Sequence, residues 1–338
     1  MPETLRLGVV GLGSIGKVHA RNIAYKIKNV ELTALCDINT EVVRSLAKEL
    51  NVDKVYYDYT GIVSDPSIDA LVIAVPTYLK KDIVIRAANA GKHLFIEKPL
   101  ALNLEDAKSM IDTINKARVK ALVGYQRRYD RAFIKAREII QAGKLGNVLL
   151  IRSWTRDPPW NPQGWAADPN LSGGRPLDSS SHDFDVIRYL TNAEVTRVYA
   201  EGSVLVYDIF KKTGDFDHMV ITLRLNNGAI GIVEYSGYAK YGYDVGVEVL
   251  GTEGRLMIGM GINSPITYVI NTSYGDDHPM SYVERFSEAY LNELISFINM
   301  IRFDEKPLIT LEDAYKAIEI ALAVWDSLRK GMPIDLVH

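Results

Sequence analysis

The chain has 338 residues, long enough to build two hydrophobic cores rather than one. Hydrophobic residues at 47% and charged residues at 24% are those of an ordinary globular protein. A net charge of −3 lacks the basic excess that phosphate neutralisation demands, which argues against a nucleic-acid partner. The single cysteine, Cys36, excludes an internal disulfide framework and points to a reducing compartment. Met1-Pro2-Glu3-Thr4 runs straight into a strand-like segment with no secretory pattern, and apolar runs such as Ala70 to Val75 are too short to cross a bilayer. The expected location is the cytoplasm, with no membrane partner.

Leu5 to Val10 is a short apolar run ending in glycine, and Ile15 to Ile27 follows with helical spacing. Val30 to Cys36 is a second apolar run. Asn39 opens a helix to Leu50 that carries Val42, Val43, Leu46 and Leu50 on one stripe. Val55–Tyr57, Ala70–Val75, His93–Ile96 and Ala121–Val123 continue as strands, separated by helical segments around 79–90 and 103–117. Leu71-Val72-Ile73-Ala74-Val75 is apolar throughout, as a strand covered on both faces reads. Strand and helix in alternation predict a doubly wound parallel sheet, a Rossmann domain over residues 1–123.

Beyond it the rhythm changes. Ala132 to Ala142 and Asp183 to Leu190 read as helices. Arg197–Val206, His218–Leu225, Ala229–Gly237 and Val245–Leu250 alternate apolar and polar residues, with Asn226-Asn227-Gly228 as a hairpin turn. Two helices close the chain, the last opening on a capping pair, Thr310 and Asp313, and stopped by Gly331 and Pro333. Residues 124–338 are therefore expected to form an α+β domain for substrate and oligomerisation, built on a large, open, mostly antiparallel sheet. The overall class is α/β.

Gly11-Leu12-Gly13-Ser14-Ile15-Gly16 matches G-x-G-x-x-G between the first strand and the first helix. The glycines allow a tight turn, close approach of backbone to a pyrophosphate, and close packing of helix on sheet. The helix N-terminus at Ser14 and Ile15 then presents N–H groups and its positive dipole end. Asp37 ends the second strand about twenty residues further on. An acid there accepts from the ribose hydroxyls and repels a 2′-phosphate, so the expected cofactor is NAD.

Glu97-Lys98-Pro99 follows the His93–Ile96 strand at the carboxyl edge, where doubly wound sheets bind ligands. A lysine there can donate to a substrate hydroxyl and to the nicotinamide ribose. Further on, Asp178 and His182 are four residues apart, which places them on one face if the helix is continuous, with Asp185 on the same stripe. Oxidation of a secondary alcohol needs a base for the hydroxyl proton, and an imidazole suits that near neutral pH. Sequence spacing indicates no metal site, and His19 on the first helix reads as packing.

The motif set Gly11–Gly16, Glu97-Lys98-Pro99 and Asp178-x-x-x-His182 resembles that of the glucose–fructose oxidoreductase/inositol dehydrogenase/rhizopine-catabolism (Gfo/Idh/MocA) family, over nearly the whole chain. The segments 124–130, 155–158, 182–190 and 241–244 are similar to the inositol 2-dehydrogenase branch. The resemblance implies a catalytic group of Lys98, Asp178 and His182 in a cleft between the domains, with His182 as general base. Asp178 would hold a neighbouring hydroxyl or orient the imidazole. It implies a cofactor set of Gly11, Gly13, Ser14, Ile15, Gly16, Asp37, Pro76, Glu97 and Lys98, and often a cis Lys98–Pro99 peptide. The substrate set is Lys98, Arg127, Asp157, Asp178, His182 and Tyr241, the weaker members being equally readable as surface charge or sheet aromatic. Trp160 and Trp165, in an irregular Pro- and Gly-rich stretch, suit either a sugar-like ring or a subunit contact.

One departure stands out. After Val75-Pro76-Thr77 many members carry Asn and then a histidine at the start of the next helix, where this chain has Tyr78-Leu79-Lys80-Lys81. The expected activity is NAD-dependent oxidation of a cyclic polyol, specifically myo-inositol to 2-keto-inositol. A pyranose or nucleotide-sugar is the alternative, with Arg127, Arg128 and Arg131 as a groove for a diphosphate. A non-catalytic NAD-binding sensor is the remote one, since a sensor has no use for the catalytic group. A homodimer or homotetramer is expected, because an exposed apolar sheet face seldom stays bare.

Overall fold

A computed structural model describes residues 4–259, 267–270, 273–276 and 278–336. The chain divides into two compact units, Met1–Tyr129 with Glu288–Ile318, and Asp130–Ser287 with Glu319–His338.

The first unit alternates β1 (Leu5–Val10), α1 (Ser14–Lys26), β2 (Val30–Cys36), α2 (Thr40–Leu50), β3 (Lys54–Tyr56), α3 (Tyr59–Ser64), β4 (Ala70–Ile73), α4 (Lys80–Asn89), β5 (His93–Glu97), α5 (Leu104–Ala117) and β6 (Ala121–Gly124). Its six strands are all parallel, in the order β3-β2-β1-β4-β5-β6. The order reverses between β1 and β4, the switch point at which such sheets bind ligands. Every residue of β4 is buried, as its unbroken apolar run requires. Leu7, Val9, Leu71 and Val72 are fully enclosed, and each such side chain contributes about 1.5–3 kcal/mol of burial free energy. Asn39 caps α2 by accepting from the Glu41 and Val42 N–H groups, and Asn103 caps α5 through Asp106.

The second unit contains α6 (Arg131–Gln141), β7 (Val148–Arg156), α7 (Pro169–Ser172), α8 (Gly174–Asp178), α9 (Ser181–Thr191), β8 (Val195–Ser203), α10 (Asp208–Thr213), β9 (His218–Leu225), β10 (Ile230–Ser236), β11 (Asp244–Gly251), β12 (Gly254–Ile258), the small pair β13 (Thr267–Ile270) and β14 (Ser273–Asp276), and α11 (Tyr282–Arg285). The closing elements are α12 (Ser287–Phe303), α13 (Leu311–Lys330) and β15 (Ile334–Asp335). The large sheet runs β12-β11-β7-β10-β9-β8-β15 and is antiparallel except where β10 lies parallel to β7. Residues alternate strictly between a buried and an open face along β9 and β10. The turn 226–228 joins them as the sequence predicts, with Gly228 at φ +89°.

Three differences from the sequence reading have physical causes. β7, which the apolar pattern does not single out, lies in the middle of the large sheet. The strand expected over Arg197–Val206 stops at Ser203, because the Asp217 carboxylate accepts the N–H groups of Leu205, Val206 and Tyr207 at 2.7–2.8 Å and draws that backbone out of the ladder. Residues 288–318 belong to the first unit, where the Phe297 ring of α12 meets Phe95 of β5 edge-on at 5.9 Å. Thr310 and Asp313 form the expected reciprocal cap, each side chain accepting the other's backbone N–H at 3.1 and 2.9 Å. Among the described residues, no helix is long and apolar enough to cross a membrane.

Candidate active site and dinucleotide loop

The loop between β1 and α1 is shaped by two glycines, Gly11 and Gly16, that leave no room for a side chain. Gly11 sits at φ +89°, and a Cβ on it would lie 2.5 Å from the Ala74 carbonyl oxygen. A Cβ on Gly16 would lie 1.8 Å from the Gly11 oxygen, so this residue brings α1 down onto the turn. Gly13 differs: a Cβ there would meet nothing within 4 Å. Space is therefore open at Gly13, the glycine at which the sequence motif expects backbone to approach a pyrophosphate. Gly13 is also the N-cap of α1 and provides no side-chain cap, which leaves the first turn at Ser14 and Ile15 to a phosphate.

Asp37 stands half-exposed at the end of β2. Its carboxylate accepts the Leu12 N–H at 2.6 Å and the Asn39 N–H at 2.9 Å. A carboxylate has about four lone-pair sites, so two bonds fix its orientation and leave capacity for ribose hydroxyls. These residues fit an NAD adenosine diphosphate. Pro76, half-buried, opens the turn after β4 on the neighbouring side of the switch point.

At the end of β5, Lys98 is half-buried and its peptide to Pro99 is cis. Glu97, a member of the expected cofactor set, is buried. One of its oxygens lies 2.6 Å from His19 Nε2, and the other accepts the Lys98 N–H at 3.2 Å. His19 packs edge-on against Phe95 at 4.9 Å, as its reading as a packing residue expects. Glu293 of α12 completes this cluster. Donor atoms of His19, Glu97 and Glu293 lie within 4.8 Å of one another, a grouping that no sequence spacing signals. Among the described residues neither Glu293 oxygen has a hydrogen-bond partner, and burial, reinforced by the charge of Glu97, raises its carboxyl well above the ordinary range. The hydrogen bond between His19 and Glu97 engages two of the three side chains of this grouping. Periodicity does flag Glu293: with Tyr290, Leu294 and Phe297 it falls on the buried stripe of α12.

Asp178 and His182 do not share one helix. α8 ends at Asp178, Ser179 and Ser180 form a turn, and α9 begins at Ser181. The Ser179 and Ser180 N–H groups both fold back on the Arg175 carbonyl, which breaks the run. Asp185 does lie on α9 with His182, fully buried. The helix under His182 is fixed by its neighbour: the Asp183 carboxylate accepts from Ser153 Oγ at 2.5 Å and Thr155 Oγ1 at 2.7 Å, both on β7. Asp178 is fixed by Arg175, whose enclosed guanidinium pairs with it at 3.0 Å and with Asp215 at 3.6 Å. Arg175 also lies 5.2 Å over the Trp160 ring, and Trp160 packs on Tyr207 at 6.1 Å. Trp160 is thus part of an internal aromatic cluster, whereas Trp165 is partly exposed.

The remaining candidates have partners of their own. Asp157 accepts from the Tyr235 hydroxyl at 3.3 Å, and the Tyr241 hydroxyl donates to Asp244 at 2.8 Å. Arg127 is enclosed in the first unit. Arg128, beside it, is spent on the Leu308 carbonyl at 2.7 Å and on Asp313, so it offers little to a diphosphate.

Residues 5–125 match the Gfo/Idh/MocA model described as an oxidoreductase family with an NAD-binding Rossmann fold. Residues 133–257 match the C-terminal domain of the same family. The chain belongs to the Gfo/Idh/MocA oxidoreductase family. It is an NAD-dependent oxidoreductase acting on CH–OH groups. Its relatives include the myo-inositol 2-dehydrogenase of Thermotoga maritima, 37% identical with 98% of each chain covered. The scyllo-inositol 2-dehydrogenase (NAD(+)) of Bacillus subtilis is 34% identical, covering 99% of this chain and 97% of its own. Among solved family members, scyllo-inositol dehydrogenase from Lactobacillus casei with bound NAD(H) and scyllo-inositol superposes with a TM-score of 0.92 at 32% identity, over 98% of this chain and 99% of that one.

Proposed function

We propose that this oxidoreductase converts a ring hydroxyl of a cyclic polyol to a ketone, with myo-inositol to 2-keto-inositol as the specific reaction. The observation that supports it most is that relatives matched along their whole length act, by name, on inositols. NAD, when bound, takes the hydride from the carbinol carbon. In the proposed division of labour His182 removes the hydroxyl proton, Lys98 polarises and positions that oxygen, and Asp178, held by Arg175, takes a neighbouring hydroxyl or orients the imidazole. Arg127, Asp157 and Tyr241 are proposed to hold further ring hydroxyls. The use of Arg128 inside the first unit favours a polyol over a nucleotide-sugar.

A homodimer or homotetramer is proposed on the open face of the large sheet, where Val220, Ile230, Leu250 and Met257 are each about half exposed. The proposed location is the cytoplasm, which the unpaired, buried Cys36 thiol supports.

The reading is tested by initial rates of NAD reduction with myo-inositol, scyllo-inositol, glucose, xylose and a UDP-sugar. The inositols are expected to give the highest kcat/KM. A pyranose or the UDP-sugar exceeding both would overturn the substrate. Asp37→Ala tests the cofactor end. Removing the charge that opposes a 2′-phosphate is expected to raise the NADP-to-NAD ratio of kcat/KM by about tenfold or more, since about 1.4 kcal/mol is a factor of ten. A wild type that already prefers NADP would remove Asp37 from that role.

A further inference from the structure

Lys80 is the first residue of α4, and its side chain is 1% exposed. An ammonium has three donors and no acceptor, and taking it out of water costs several kcal/mol unless those donors are met. Here they are met in an unusual way. Nζ donates to the carbonyl oxygens of three consecutive residues, Glu97 at 2.6 Å, Lys98 at 3.0 Å and Pro99 at 2.8 Å. These three bonds aim the cation at the backbone of the turn that carries Lys98.

The other side of that turn is held too. The Lys98 N–H donates to Glu97, whose second oxygen is fixed by His19. Backbone on both sides of the Lys98 Cα is therefore pinned, by Lys80 through carbonyls and by Glu97 through the N–H. Such bracing matters where a flexible four-carbon side chain must deliver its head group to one place. It also gives a use to the Tyr78-Leu79-Lys80-Lys81 segment, for which the nucleotide loop has none.

We propose that Lys80 is a positioning residue for the reaction: its ammonium holds the Glu97-Lys98-Pro99 carbonyls so that Lys98 is presented to the substrate oxygen. This rests on the role proposed for Lys98. The inference predicts a loss in the chemical step with the cofactor still bound, because the Gly11–Gly16 loop and Asp37 have no part in these contacts.

Lys80→Met keeps the length and removes all three donors, whereas Lys80→Gln keeps two. Each is assayed below its own melting midpoint, with the polyol that wild type oxidises fastest, and beside Lys98→Met. Lys80→Met is expected to lower kcat about 100-fold, the cost of a misplacement of about 1 Å, while the NAD Kd stays within about threefold. Lys80→Gln should fall between it and wild type. A folded Lys80→Met enzyme with kcat within about threefold of wild type, or one whose loss merely tracks weakened NAD binding, overturns the proposal. If the Met variant does not fold, an unchanged kcat in Lys80→Gln overturns it equally. Full activity in Lys98→Met would instead remove the role of Lys98 itself, a failure distinct from that of the clamp.

Discussion

His182→Ala is expected to lower kcat by about 10²–10⁴-fold while leaving NAD affinity as in wild type, the range that a positioned general base supplies. The expectation depends on the helix remaining where it is. α9 is enclosed along its length, and Asp183 ties it to β7. Deleting the ring should therefore remove a proton acceptor without displacing Asp178, whose geometry is set by Arg175. Single-turnover reduction of NAD, followed beside equilibrium NAD binding, separates the two effects. A variant with wild-type kcat would transfer the base role away from His182.

The second large effect concerns stability. Glu293 is buried, with neither oxygen hydrogen-bonded among the described residues, and its carboxyl is raised well above the ordinary 4.5 by burial and by the charge of Glu97. The unfolded chain releases this proton near the ordinary value, whereas the folded chain keeps it to higher pH. Over that interval the folded state binds more protons than the unfolded state, so its stability falls as pH rises. The contribution is full below pH 4.5 and is lost on the way up through the folded-state value, at as much as about 1.4 kcal/mol per pH unit. Glu293→Gln keeps the shape and removes the titration. Denaturant unfolding at about pH 6 and about pH 8 is expected to show wild type losing stability relative to Glu293→Gln, with the sign set by linkage. An equal pH slope in the two proteins would mean that Glu293 is ionised in the folded state, and hence that something other than a proton neutralises it.

The parts of this molecule that were legible in its sequence are those whose signals are local. The glycine loop, the apolar run of β4, the acid closing β2 and the Thr310–Asp313 cap each lie within a few residues, and each is found in place. What was not legible depends on partners far along the chain. β7 has an apolar first half and a polar second half, and only its neighbours β10 and β11 make it a central strand. The four-residue spacing of Asp178 and His182 suggested one helical face, but the Arg175 carbonyl captures two successive N–H groups and opens a turn between them. Nothing local to Lys80 signals its contacts, because the three carbonyls it meets, those of Glu97, Lys98 and Pro99, lie 17 to 19 residues along the chain. Arg175 carries no local signal of its role, because its counter-ion Asp215 is forty residues away.

In the proposed reaction a ring carbon of a polyol gives up its hydrogen to NAD on this protein. The most direct measurement is the reaction of NAD with myo-inositol deuterated at C2, with the reduced cofactor and the product analysed by mass spectrometry. A primary isotope effect on the rate of NADH formation is expected, with one deuterium in the reduced cofactor and none at C2 of the resulting ketone. An enzyme that binds NAD yet forms no NADH with myo-inositol, or forms it with all of the label left in the product, would contradict that account.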